Sequence, residues 1–151
     1  PDSYVPDSQQ KVEIYKKIVA LRSQEDTMEL EEEIEDRFGT LPEPVRNLLC
    51  VARIKAFARK LGVSSVSVER ESVVLKLHTG LKLPREVANH LLRRYRGRLM
   101  ILPARANIAK LRVRGLTDAQ LLAFIEEVLN ETHLAWHVAP AARQVALAHN
   151  R

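Results

Sequence analysis

Two histidines stand four residues apart in His133-Leu134-Ala135-Trp136-His137, the spacing at which a helix offers two metal ligands on one face. No third ligand is evident nearby, and Trp136 between them suits packing better than coordination, so no metal site is expected. None of the five glycines falls into GxGxxG or GxxxxGK[ST], the loops whose backbone amides cradle phosphates. Ser72 and the remaining histidines show no local nucleophile arrangement. The chain is therefore expected to hold no cofactor, to contain no catalytic residue and not to hydrolyse nucleotides.

What remains is charge, and it is unevenly placed. Residues 1–44 carry 12 acidic and 5 basic side chains, whereas residues 45–151 carry 7 and 19. Asymmetry of this kind bears on partners rather than on fold. At about 100° per residue, Leu30, Ile34 and Phe38 form one stripe of an acidic helix. Glu29, Glu32, Glu33 and Asp36 cluster on nearly the opposite side. Four carboxylates on one exposed edge suit a basic partner, although most charged helix faces simply meet water. The opposite pole is Arg93-Arg94-Tyr95-Arg96-Gly97-Arg98, four arginines around one aromatic, with Arg105, Lys110, Arg112 and Arg114 beyond it. Arginines beside a stacking tyrosine could grip nucleic-acid phosphates. They equally suit a helix C-terminus, where they offset the dipole. Only 5% of the residues are aromatic, a poor basis for a stacking platform.

The elements that must present these charges can be read from periodicity. Asp7 or Ser8 caps a first helix ending near Arg22. Its apolar set (Val12, Ile14, Tyr15, Ile18, Val19, Leu21) covers more than one face, which predicts packing on two sides. Glu13 and Lys17 have the spacing of a helical ion pair. Asp26 or Thr27 caps the acidic helix, and Gly39 ends it in the left-handed conformation. Pro42 and Pro44 stiffen the connection to a third helix that stops at Gly62. Beyond Gly62 the pattern alternates: Val66 and Val68, a turn at Arg70-Glu71, then Val73–Leu77. A helix from Pro84 to about Tyr95, strands at Leu99–Leu102 and Ile108–Val113, and a helix capped by Thr117 or Asp118 follow. The prediction is an α+β domain: a three-helix segment and then a small mixed ββαββα half. Together these form one compact domain over 1–132, with a loosely ordered alanine-rich tail over 133–151.

Composition sets the remaining bounds. A hydrophobic fraction of 46% in 151 residues is ample for a core. No apolar run approaches the roughly 18 residues of a membrane span, and no basic segment with an apolar stretch opens the chain. A lone Cys50 among aliphatic neighbours fits a buried thiol and a reducing, cytoplasmic setting. A first residue that is proline suggests a piece of a longer protein, and nothing points beyond a monomer.

Several ordered blocks resemble a known family. Tyr4-Val5-Pro6-Asp7, Glu13-Ile14-Tyr15-Lys16-Lys17-Ile18, Glu35-Asp36-Arg37-Phe38-Gly39-Thr40-Leu41-Pro42, Asn47-Leu48-Leu49 and Ala58-Arg59-Lys60-Leu61-Gly62 are similar to the C-terminal domain of bacterial transcription-repair coupling factors, the Mfd family. Val5 stands where isoleucine is commoner and Lys17 where arginine is. The resemblance covers residues 4–62, with only the general layout continuing beyond. It implies a regulatory, non-catalytic domain of an ATP-driven DNA translocase whose motor lies elsewhere. In the family this domain docks on a UvrB-like module of the same protein, hides the surface that binds UvrA and restrains the motor. The family contact uses acidic residues one turn apart before the Arg-Phe-Gly motif, which by position are Glu33 and Asp36, with Glu29 and Glu32 on the same face. The competing reading is a nucleic-acid-binding accessory module built on residues 85–114, with Arg93, Arg94, Arg96 and Arg98 as contacts.

Overall fold

The structure, a computed structural model, describes the backbone of residues 1–102 and 105–149, and the side chains within that span apart from residues 105, 106 and 138–149. The chain forms two compact units, Pro1–Phe57 and Ala58–Arg151.

In the first unit, α1 (Ser8–Ala20) begins where the Asp7 carboxylate accepts a hydrogen bond from the Gln10 amide at 2.7 Å. The second helix, α2 (Gln24–Phe38), starts a turn earlier than its sequence suggests. Ser23, not Asp26 or Thr27, is its cap: the Ser23 hydroxyl accepts from the Asp26 amide at 3.0 Å. The Asp26 carboxylate accepts in return from the Ser23 amide at 3.1 Å. This reciprocal box satisfies two amides that the helix itself leaves bare. Thr27 is instead fully buried, its hydroxyl donating to the Ser23 carbonyl at 3.0 Å. A third helix, α3, spans Glu43–Lys60.

Val5, Ile14, Leu30, Ile34, Leu41 and Leu49 form the core of this unit, with Tyr4, Ile18, Leu21, Phe38 and Val45 packed against it. Full burial of side chains of this size contributes about 1.5–3 kcal/mol each, well above any surface ion pair. The turn after α2 is pinned by Tyr4, whose hydroxyl donates to the Gly39 carbonyl at 2.6 Å.

The second unit is a four-stranded antiparallel sheet in the order β1-β2-β4-β3. Its elements are β1 (Val63–Glu69), β2 (Ser72–Leu77), α4 (Arg85–Arg94), β3 (Leu99–Leu102), β4 (Arg105–Arg112) and α5 (Asp118–His149). The strand order, which periodicity does not encode, thus places the last strand inside the sheet. Both helices pack on one face: Leu75, Leu77 and Ala109 of the sheet share a void of about 20 Å³ with Leu91 of α4 and Leu129 of α5. The α+β class and the ββαββα order expected from the sequence are those observed.

The last helix differs from expectation in length. Thr117 caps it, its hydroxyl accepting from the Gln120 amide at 3.2 Å, but the backbone stays helical to His149. Loss of the 3.6-residue apolar period over the expected tail of residues 133–151 hides this continuation, and Pro140 argues against it. Alanine, abundant there, has the highest helix propensity of any residue. Side chains from Val138 onward in that tail lie outside the described residues.

Gly39 ends α2 with φ 85° and ψ −168°. The positive φ is as expected, but ψ lies far from the left-handed helical value of about +47°, in a region essentially reserved for glycine. A methyl group there would meet no atom within 4 Å, so the constraint is one of backbone alone. Gly39→Ala is expected to destabilise the protein by about 1–3 kcal/mol, read as a lower melting temperature. An unchanged melting temperature would mean that this helix end does not require the positive φ.

Candidate functional site

The acidic face of α2 follows from the burial of its other side. Thr27, Leu30 and Ile34 are buried, and the helical period then carries Glu29, Glu32 and Asp36 into solvent, with Glu33 half-buried at the edge of the same face. Among the described residues, Glu29, Glu32 and Asp36 make no ion pair.

Glu33 is different. Lys17 of α1 donates to both of its carboxylate oxygens, at 2.5 and 2.6 Å, and Arg37, one turn on, donates to Oε1 at 3.1 Å. The Lys17 hydrogen bond, with Arg37 assisting and partial burial opposing, holds the Glu33 carboxyl below the usual carboxylate range. Lys17 therefore serves Glu33 rather than Glu13, its helical neighbour in sequence. Of these two cations, Arg37 was legible from its i,i+4 spacing to Glu33. Lys17 was not, because its contact joins two helices. Lys17 and Glu33 also line a shallow groove between α1 and α2, with Ala20, Leu21, Glu29 and Leu30.

The arginine-rich segment at the end of α4 is arranged differently from a nucleic-acid platform. Tyr95, the stacking surface of the competing reading, is buried, with 4% of its surface exposed. It packs edge-on against Phe124 of α5, with ring centroids 5.8 Å apart at 84°. The helical spacing does carry a signal for this, because Tyr95 follows the buried Val87 and Leu91 of α4 at four-residue intervals; its partner Phe124, on another helix, is what spacing does not record. Arg94 binds Glu127 of α5 at 2.5 Å, and His90 meets Glu131 at 2.9 Å. Arg98 lies 4.6 Å from the centre of the Phe124 ring and donates to the Arg112 carbonyl at 3.3 Å. Two of the four candidate arginines thus tie this unit together. Arg93 and Arg96 are exposed and make no ion pair among the described residues. Lys110 and Arg114, further along, pair with Glu69 and Glu71.

His133 and His137 contact each other, with ring centres 4.2 Å apart, and burial, followed by the His137 charge, pushes the His133 pKa down. Among the described residues no group of three or more His, Cys, Asp or Glu side chains is placed to hold a metal ion. None of the described helices is long and apolar enough to cross a membrane.

Two measurements follow from these contacts. Because the folded-state pKa of Glu33 is depressed, its contribution is present above the unfolded value and disappears as pH falls through the folded one. Glu33→Gln is expected to cost less than about 1 kcal/mol near neutrality, with the difference from the parent shrinking in acid denaturation once the pH falls below the ordinary glutamate value of about 4.3 and vanishing below the depressed folded value. A difference independent of pH would mean that packing, not charge, is what Glu33 supplies. The Tyr95 hydroxyl is buried without a hydrogen-bond partner among the described residues, and burial raises its pKa to about 12. Tyr95→Phe removes an unsatisfied group and is expected to leave the melting temperature unchanged or raised. A loss of about 1 kcal/mol or more would reveal a bound partner for that hydroxyl.

With this geometry in hand, likeness to known proteins is specific. The family described as "TRCF domain" matches residues 1–88. The transcription-repair-coupling factor of Escherichia coli (strain K12) is 34% identical over 76 residues, which is 50% of this chain and 7% of that protein. The protein of the same name from Bacillus subtilis (strain 168) is 34% identical over 77 residues, 51% of this chain and 6% of that one. The one from Borreliella burgdorferi is 22% identical over 130 residues, 86% of this chain and 12% of its own length. The chain therefore spans only 6–12% of the length of these relatives. A crystal structure of the C-terminal domain of a transcription-repair coupling factor superposes with a TM-score of 0.78 at 23% identity, covering 89% of this chain and 86% of that one. That likeness bears on the fold. The family match takes in more than half of the 151 residues, and the chain belongs to the TRCF domain family.

Proposed function

We propose that this chain is a non-catalytic regulatory domain of a transcription-repair coupling factor. It docks through the acidic face of α2 onto a basic surface of the UvrB-like module of its parent protein. Docking masks the surface that UvrA binds and restrains the translocase motor. The observation that carries this reading is the set of exposed carboxylates, Glu29, Glu32 and Asp36, on one face of a helix whose opposite side is anchored in the core.

The contacts around Glu33 refine the reading. Asp36 is the more available of the two family positions, because Glu33 already shares its charge with Lys17 and Arg37. An arginine approaching Glu33 exchanges one cation for another rather than neutralising a bare carboxylate. Docking of this kind gains little per contact, since exposed ion pairs are worth about 0.2–1 kcal/mol each. A competing partner can therefore open it. The nucleic-acid reading is disfavoured by the placement of Tyr95, Arg94 and Arg98, which leaves only Arg93 and Arg96 of the proposed contacts uncommitted.

The test is UvrA capture by the full-length protein carrying Glu33→Ala and Asp36→Ala. Asp36 is exposed and the ion pairs of the half-buried Glu33 are worth less than about 1 kcal/mol, so the fold should be retained, docking should weaken and UvrA capture should rise. Reversal of Asp36 to lysine should raise it further through like-charge repulsion. Equal capture by folded parent and variant proteins would return the acidic face to the role of a solvated surface.

A further inference from the structure

The apolar residues of α1 divide between two sides of the helix. Ile14 is buried, and Ile18 and Leu21 pack with it against the core of the first unit. Val12, Tyr15 and Val19 are 51%, 52% and 77% exposed. At about 100° per residue these three fall within a sector of about 60° and run two turns along the helix. The packing on two sides that the sequence predicts is thus found on one side only. Isolated exposed apolar residues are ordinary, but a contiguous stripe marks a contact surface.

The stripe adjoins a depression. Beside Tyr15, a groove of about 180 Å³ is lined by Tyr4, Ile14, Ile18, Val45 and Leu48, with Lys11 at its edge. That volume suits one large apolar side chain, since a cavity of about 150 Å³ accepts a benzene ring. Leu48, on the α3 side, is itself 36% exposed. The flanks of the stripe are basic: by helical position Lys16 borders it on one side and Lys11 on the other. Lys16 is exposed and makes no ion pair among the described residues. Lys11 pairs with the exposed Asp2, an ion pair that a better-placed carboxylate can replace. The one carboxylate on α1, Glu13, lies beyond Lys16, off the stripe.

We infer that the Val12–Tyr15–Val19 face of α1, with the groove beside Tyr15, is a second docking surface, taking an amphipathic helix of a partner protein whose apolar ridge is bordered by acidic residues. One large side chain of the ridge fills the groove and the others lie against Val12 and Val19, in the helix-in-groove mode. The acidic border meets Lys11 and Lys16. This surface differs in chemistry from the acidic face of α2, and its proposal stands whether or not that face docks on a UvrB-like module.

The probes are synthetic capped peptides of five helical turns with an identical leucine ridge, flanked by glutamates in one and by lysines in the other. A third has the glutamate flanks with its ridge leucines changed to serine. Binding to the whole chain is followed by calorimetry at low and raised salt. The glutamate-flanked peptide is expected to bind at least about tenfold more tightly than either of the others, with affinity falling as salt rises. Val12→Ser with Val19→Ser should weaken it about tenfold or more, and Lys16→Glu should narrow the preference for acidic flanks. Glu32→Ala with Asp36→Ala should leave it unchanged, which separates this surface from the acidic one. No binding, equal binding of the two charged peptides, or binding indifferent to Val12 and Val19 would each overturn the proposal. So would sedimentation showing a dimer that the Val12 and Val19 changes dissociate, since the stripe would then be covered by a second copy of the chain.

Discussion

The orientation of α2 depends on the burial of Leu30 and Ile34, which are 5% and 2% exposed. Because a helix turns by about 100° per residue, placing these two side chains in the core leaves no freedom in where Glu29, Glu32 and Asp36 project. The ends of the helix are held with matching care: the Ser23–Asp26 box at the start and, at the finish, Gly39, whose carbonyl Tyr4 holds. The acidic surface is thus a consequence of apolar packing, with the packing term several times larger than any ion pair on the surface. Replacing a carboxylate there alters what the surface attracts and leaves the scaffold in place.

Charge is used differently in the two units. In the first, acidic residues outnumber the cations available to them, and only Glu33 among the stripe is neutralised by neighbours. In the second, cations are in excess, yet several are spent internally: Arg94 on Glu127, Lys110 on Glu69, Arg114 on Glu71. Net charge is therefore a poor guide to where a basic unit would touch an anion. Arg93 and Arg96 show the limit of the count, since four arginines in six residues reduce to two that face solvent uncommitted.

Much of this is legible in the sequence. Local signals carried well where the determinant lies within one turn: Asp7 as a cap, Gly39 with a positive φ, Thr117 at the start of the last helix. Such features depend on backbone geometry and on neighbours at i+3 or i+4, which sequence spacing records directly. Contacts between elements did not carry. Lys17 has a plausible partner in Glu13 by spacing, but the proximity of α1 to α2 brings Glu33 closer. Tyr95 reads as part of an arginine cluster, yet α5 supplies Phe124 as a packing surface and draws it inward. The order β1-β2-β4-β3 is likewise set by long-range pairing. The length of α5 was lost for another reason: an alanine-rich helix has high propensity and little amphipathic pattern, so the signal that marks most helices is absent.

The state of Glu33 decides what kind of contact the acidic face can offer. A fully bare carboxylate cluster repels itself and binds any cation, whereas a fully paired one offers nothing. Here one carboxylate is clamped between Lys17 and Arg37 while its neighbours at Glu29, Glu32 and Asp36 stay open. The clamp fixes the edge of the surface against α1, so that an incoming basic group meets carboxylates of defined position. The open residues supply the attraction. In the docking proposed above, part of the clamp would be exchanged, so the net gain at Glu33 would be a difference between two similar ion pairs and the balance of the whole contact would stay small. A small balance is what lets a domain that docks by charge be displaced by a rival rather than held for good.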